Sequence, residues 1–252
     1  MPQRTEPSSS LLDRVRKLLA QAEGEGVTQP EAEAFTARAA ELMARHGIDR
    51  AKLAADRPET DRPGSRVIDV RNPWAKVRAH LLAGLAGAMR CQCVLLSVPA
   101  GQEGARVHVF GYASDLERTD ILYTSLLLQM GRAFLPGGRA LAVPEGVRSV
   151  RAWHRSWLLG YVTAVITRVQ AAEARVTGAA KDETTAGGKS TALVLADRSV
   201  VIRRDLEEAY PVTRRTRITY SGRGYTDGYA QGQRADIGNA RLGNNQNALS
   251  RS

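Results

Sequence analysis

Residues 11–49, LLDRVRKLLAQAEGEGVTQPEAEAFTARAAELMARHGID, form two amphipathic segments around a glycine-rich break, and this hairpin constrains the fold more than any other stretch. Ser10 with Asp13, and Thr28 with Glu31, are capping-box patterns, and Pro30 sits in the first turn of the second segment. Leu11, Val15, Leu18, Leu19 and Ala22 fall on one helical face; Ala32, Phe35, Ala39, Leu42 and Met43 do the same on the second helix. Gly24 and Gly26 break the chain between them. Gly47 is placed to end the second helix in a left-handed turn, with His46 suited to the helix dipole and a short third helix expected from Asp49 to Ala55. So small a hairpin cannot bury a full core alone, so its apolar faces need a surface on the same chain or on a partner.

Helix, glycine turn and helix also suggest a helix-turn-helix reader of DNA. Charge argues against that use, because residues 1–57 carry nine basic and nine acidic side chains. The chain as a whole has a net charge of +10 and a pI of about 10.1, which points to a polyanion. Arginine outnumbers lysine 31 to 5, a bias that a GC-rich genome produces whatever the function, so position matters more than amount. Residues 151–252 hold 16 basic and nine acidic side chains, which places any grip on a polyanion in the last hundred residues. No apolar run reaches the roughly 18–20 residues of a membrane span. The start, MPQRTEPSSS, lacks an apolar h-region, and the two cysteines are too close in sequence to staple a fold. A cytoplasmic location is expected, with no membrane partner.

The proline-bearing segment 56–66 reads as a linker between an N-terminal module, 10–55, and a C-terminal domain, 67–252. Beyond it the pattern predicts a short strand at Val67–Val70, then a helix capped by Asn72 with Pro73 at its first position. CQCVLLSV and ARVHVFGY read as two strands joined by the turn PAGQEG. Ser114 with Glu117 is a third capping box, opening a helix to about Phe134, and a long helix is expected from Val150 to Val176. TGAAKDETTAGGKST reads as a flexible loop, LVLADRSVVIRRDLEEAY as helix, RTRITY as a strand, and the glycine-spaced end as helix. The expected fold class is α+β: a helical hairpin followed by a helix-rich domain with a small, mostly antiparallel sheet.

The paired motif LLDRVRKLLAQAE…TQPEAEAFTARAAELMARHGID resembles the N-terminal module of domain-of-unknown-function family 2786, found in bacterial and phage proteins. From about Trp74 the chain resembles domain-of-unknown-function family 7168, on VHVFGYASDLERTDILYTSLLLQM, WHRSWLLGYVTAVITRV and GYTDGYAQGQRADIG. These resemblances imply an architecture and no mechanism.

Several local motifs suggest chemistry and do not complete it. AGGKST has the end of a phosphate loop, but Glu183 stands where its first glycine is needed and no strand precedes it. Gly222, Gly224 and Gly228 imitate a dinucleotide fingerprint, yet too little chain follows to build the required βαβ unit. Gly224, Gly228 and Gly232 instead recur every four residues, sharing one helical face that lets another backbone approach. GQEG imitates a nucleic-acid clamping loop but joins two strands, so a hairpin turn is expected. Cys91 and Cys93, with His80 or His108, lack the spacing of a structural zinc site and are expected to face the core. Trp153, Trp157 and Tyr161 form a stripe expected in the core, while His154 lies off it between Arg151 and Arg155.

Two principal readings follow. The first is a non-enzymatic protein of phage or mobile-element type that binds DNA or RNA through residues 151–252. Its phosphate contacts come from Arg151, Arg155, Arg214, Arg215, Arg217 and Arg223. It needs no cofactor and no metal. The second is a hydrolase drawing on His154, Asp115, Asp227 and Asp236, although the last two fall on opposite faces of a helix. A third reading makes the neutral module, 10–55, an adaptor for a protein partner.

Overall fold

A computed structural model describes residues 7–22, 29–99, 101–214 and 224–235. Helices α1 (Pro7–Ala22) and α2 (Gln29–Asp56) open the chain and pack on each other. α1 begins three residues before the expected cap at Ser10, and the glycine break with Thr28 lies outside the described residues. α2 runs through Gly47 and absorbs the expected third helix, so Gly47 does not end it. The glycine has a tertiary role instead: a Cβ at Gly47 would collide with the guanidinium groups of Arg118 and Arg90. Glycine there makes room for two cations and costs the helix roughly 1 kcal/mol.

A 3-10 turn at Pro58–Thr60 leads into β1 (Pro63–Val70), which begins inside the stretch read as linker. The next helix, α3 (Ala75–Ala88), starts later than the sequence suggests. The Asn72–Pro73 bond is cis, and Trp74 precedes the helix in a left-handed conformation, φ 64°. The Asn72 side chain donates to Glu103 at 2.9 Å rather than capping. β2 (Gln92–Leu96) and β3 (Ala105–Tyr112) are antiparallel, as the GQEG turn requires. β1 pairs antiparallel with the other side of β3, giving the order β1-β3-β2. Val107 and Val109 of β3 point into the core by strand alternation.

α4 (Ala113–Phe134) follows β3 without a break. Ser114 does not cap it: the Ser114 N–H and Oγ both donate to the carboxylate of Asp61, at 3.0 and 2.7 Å. Asp61, 53 residues away in sequence, therefore supplies the anion that a helix N-terminus favours. α5 (Val150–Ala180), capped by Ser149, is buried along most of its length and serves as the central pillar. Leu81, Leu82 and Leu85 of α3, Leu122 and Leu126 of α4, and Trp157, Leu158, Val162 and Val165 of α5 fill one core. Val15 and Leu19 of α1 and Ala39 and Met43 of α2 belong to the same core. The opening hairpin thus lays its apolar faces on the protein's own body.

The segment expected to be a flexible loop is tied down. Glu183 accepts from Arg45 Nη1 and Nη2, at 2.6 and 2.8 Å, and from Lys52 at 3.1 Å. Hydrogen bonding from Arg45, then from Lys52, holds the Glu183 carboxyl down to about 2. The N–H groups of Ala186 and Gly187 close on the Asp56 carboxylate at 3.0 and 3.1 Å. The phosphate-loop-like AGG therefore cradles an anion, and that anion is the end of α2. Ser190 then caps α6 (Thr191–Ala209), whose far end is tethered by Tyr210 to His108 Nδ1 at 2.8 Å.

α7 (Gly224–Arg234) makes the close backbone approach that the glycine spacing predicts; its neighbour is α5, and the two run parallel. Gly224, Gly228 and Gly232 lie against the carbonyls of Trp153, Trp157 and Tyr161, and Gly160 of α5 lies against Tyr225 and Tyr229. Four glycines on two facing stripes let the backbones meet where any Cβ would collide.

Candidate functional site

Six charged side chains from distant parts of the chain meet beneath α2. Arg118 of α4, with no exposed surface, donates to Asp115 at 2.8 Å and also to Glu173 of α5. Arg198 of α6 reaches Asp61 at 2.8 Å and Asp115 at 3.2 Å. Arg90 meets Glu173 at 3.3 Å and Asp115 at 3.5 Å. Three guanidinium groups face three carboxylates, so the hub is neutral. Arg90 holds its place in a left-handed conformation, φ 65°, which costs a non-glycine residue roughly 1–2 kcal/mol. Burial opposes the charge on Arg118, and Glu173 with Asp115 outweighs it, so its pKa ends above the ordinary value.

His46 packs beside this hub, buried in the middle of α2 rather than at a helix end. Burial lowers its pKa, and Arg118 and Arg50 add to the effect, so the ring is held neutral. Burial pushes the Cys91 thiol up to about 12, with Asp115 adding to it, and does the same to Cys93. Both stay protonated thiols, poor nucleophiles and poor ligands. Among the described residues no group of three or more His, Cys, Asp or Glu side chains is arranged to hold a metal ion.

The residues named for a hydrolase do not assemble. His154 is buried, its Nε2 lies 2.9 Å from the Leu141 carbonyl, and its ring packs edge-on against Phe134. Asp115 is committed to three arginines in the hub. Asp227 is exposed in the first turn of α7, and Asp236 lies outside the described residues. Trp153, Trp157 and Tyr161 are core, as their spacing suggests.

The arginines named for nucleic acid are in part accounted for. Arg151 and Arg155 are exposed, one turn apart on the first turns of α5. Arg214 is exposed beyond α6; Arg215, Arg217 and Arg223, with RTRITY, lie outside the described residues. Two further exposed arginines lie nearby in the chain. The loop after α4 folds back so that the Leu141 carbonyl reaches His154; Arg139 lies two residues before Leu141, and Arg148 stands just before the Ser149 cap. Arg139, Arg148, Arg151 and Arg155 are all exposed, and none forms a salt bridge with a described residue.

The arrangement defines a helix-rich α+β protein with a three-stranded antiparallel sheet and a buried ionic hub. Residues 10–50 match the model of a family described as "Protein of unknown function (DUF2786)". Among curated proteins and among solved structures, no significant match was found. No described helix is long and apolar enough to cross a membrane.

Proposed function

We propose that this protein binds nucleic acid without catalysing a reaction, through an arginine-rich end of α5. One observation carries the reading. Arg148, Arg151 and Arg155 follow one another at the start of α5, exposed and in no salt bridge with a described residue, and Arg139 is exposed in the loop whose Leu141 meets His154. The buried arginines Arg90, Arg118 and Arg198 are, by contrast, all paired with carboxylates. The chain also re-enters the described fold at Gly224, against the Trp153 carbonyl, directly after the run that holds Arg214, Arg215, Arg217 and Arg223. Guanidinium groups suit phosphate oxygens, and among the described residues no exposed aromatic stripe accompanies these, so recognition is of backbone rather than of base.

The same reading places the protein in the cytoplasm of a bacterium or in a phage-related element. The segment from Trp74 onward would be a family 7168 domain, on the motifs VHVFGYASDLERTDILYTSLLLQM and GYTDGYAQGQRADIG.

The test is fluorescence anisotropy of the full chain with labelled single- and double-stranded DNA and RNA across a range of salt. Binding should weaken steeply as salt rises. The combined Arg151→Ala and Arg155→Ala variant should reduce the log–log salt slope on duplex DNA by about 2, near 0.9 for each phosphate left without its arginine. Absence of binding at low salt, or affinity indifferent to salt, overturns the proposal.

A further inference from the structure

We infer that the outer face of α6 is where two copies of this chain associate, antiparallel, about a two-fold axis at Val200. Leu193, Ala196, Val200, Arg203 and Glu207 recur at intervals of three and four residues, so they share one side of the helix. All five are exposed, Leu193 at 50% and Val200 at 60%, on the side opposite the buried Val194, Leu195, Arg198 and Ile202. Beside this ridge runs a groove of about 620 Å³ between α6, the end of α5 and the end of α3. Small side chains line it, and a Cβ at Gly87 or Gly178 would meet open space. A ridge and a groove side by side on one surface suit an isologous contact, because each copy offers both halves.

The order of charge selects a second copy as the occupant. From its start to its end the α6 region carries Lys181 and Lys189, then Asp197, then Arg203 and Arg204, then Glu207 and Glu208, all exposed. Lys181 ends α5, but its carbonyl accepts from the Ala192 N–H at 3.2 Å, which sets it beside the first turn of α6. The signs alternate plus, minus, plus, minus, so a reversed copy meets opposite charge at each level. With Val200 on the axis, a residue three positions later in one copy lies level with the residue three positions earlier in the other. Arg203 therefore comes level with Asp197. Glu207, seven positions later, comes level with Leu193 and so beside Lys181. Arg203 and Glu207 form no salt bridge with a described residue, and Lys181 and Lys189 reach Asp182 and Asp197 only at 3.9 Å. Arg204 already holds Glu208 at 2.9 Å. Complementary charge fixes the direction and register of such a contact, and the parallel arrangement would oppose like charges. A 19-residue helix gives a contact about 28 Å long, the scale of a weak, reversible dimer rather than an obligate one. This inference stands apart from the nucleic-acid reading, since it uses none of the arginines at the start of α5.

Sedimentation equilibrium of the full chain, without nucleic acid, from about 1 to about 200 µM tests it. The apparent mass should rise with concentration from 27.3 kDa toward twice that value, and rise less as salt is added. Val200→Glu, at an exposed position, should hold the protein at monomer mass with its circular dichroism spectrum unchanged. Glu207→Lys and Lys181→Glu should each weaken association by at least about tenfold. The two combined should restore it, because the pair re-forms with its signs exchanged. A monomer mass throughout the range, a dimer that survives Val200→Glu, or a double variant no tighter than the single ones would overturn the assignment.

Discussion

Arg118 shows how a single residue can depend on the whole fold. Its guanidinium is fully enclosed, and it is tolerated because Asp115 and Glu173 pair with it and Gly47 leaves it room. Arg118→Met removes one member of a balanced set and leaves buried carboxylates short of a cation. It should cost about 3–5 kcal/mol in a urea titration. His46 adds a pH dependence of known sign. Its folded pKa lies below the ordinary 6.5, so the unfolded chain takes up a proton that the folded one refuses. Stability contributed by the neutral ring is complete above about 6.5 and declines as pH falls below it. His80 and His108, also lowered by burial, act in the same direction. Urea midpoints measured from pH 7.5 to 5 should therefore fall less steeply in His46→Asn than in the parent protein. An unchanged slope would mean that His46 takes up its proton equally in the folded and unfolded chain. None of this hub was legible in the sequence, because its members are separated by up to 137 residues and no local pattern links Asp61 to Arg198.

At the scale of elements the sequence was more informative. The four-residue glycine period placed α7 and its packing mode, because that period is a property of one helix and needs no knowledge of its neighbour. Gly228→Ala should push α7 away from the Trp157 carbonyl and cost roughly 1–3 kcal/mol, the range for overpacking a tight contact. Gly178→Ala, in α5 with nothing near its Cβ position, should instead stabilise by about 0.5–1 kcal/mol. Thermal melts of the two variants would separate close approach from mere helix propensity. Helix starts were read less well. Asn72 and Ser114 each match a capping pattern, yet each gives its side chain to a distant carboxylate, Glu103 and Asp61. A capping box competes with any better partner that folding brings within reach, and sequence spacing does not contain that competition.

Over the whole molecule, the opening hairpin is integral to the body. Met43 and Ile48 of α2 are 1% exposed, and burial of such side chains is worth roughly 1.5–3 kcal/mol each against a total stability of about 5–15 kcal/mol. Removing residues 1–56 should therefore abolish cooperative melting, and a truncated chain that still melts sharply would show that the body is self-sufficient. Charge distribution acts at this scale too. The excess in residues 151–252 was plain from counting, but counting could not tell Arg198, sealed in the hub, from Arg151 and Arg155 in solvent.

The sequence by itself determined what repeats locally: the amphipathic hairpin, the β2–β3 turn, the long α5 and the glycine face of α7, each set by interactions within a few residues. Tertiary structure alone decided which surface the hairpin covers, which arginines are buried, and what Gly47 makes room for within α2. The physical reason is desolvation. A charge or a missing Cβ acquires its meaning from what lies within a few ångströms in space, and for Gly47, Asp61, Arg118 and Arg198 those neighbours come from remote parts of the chain.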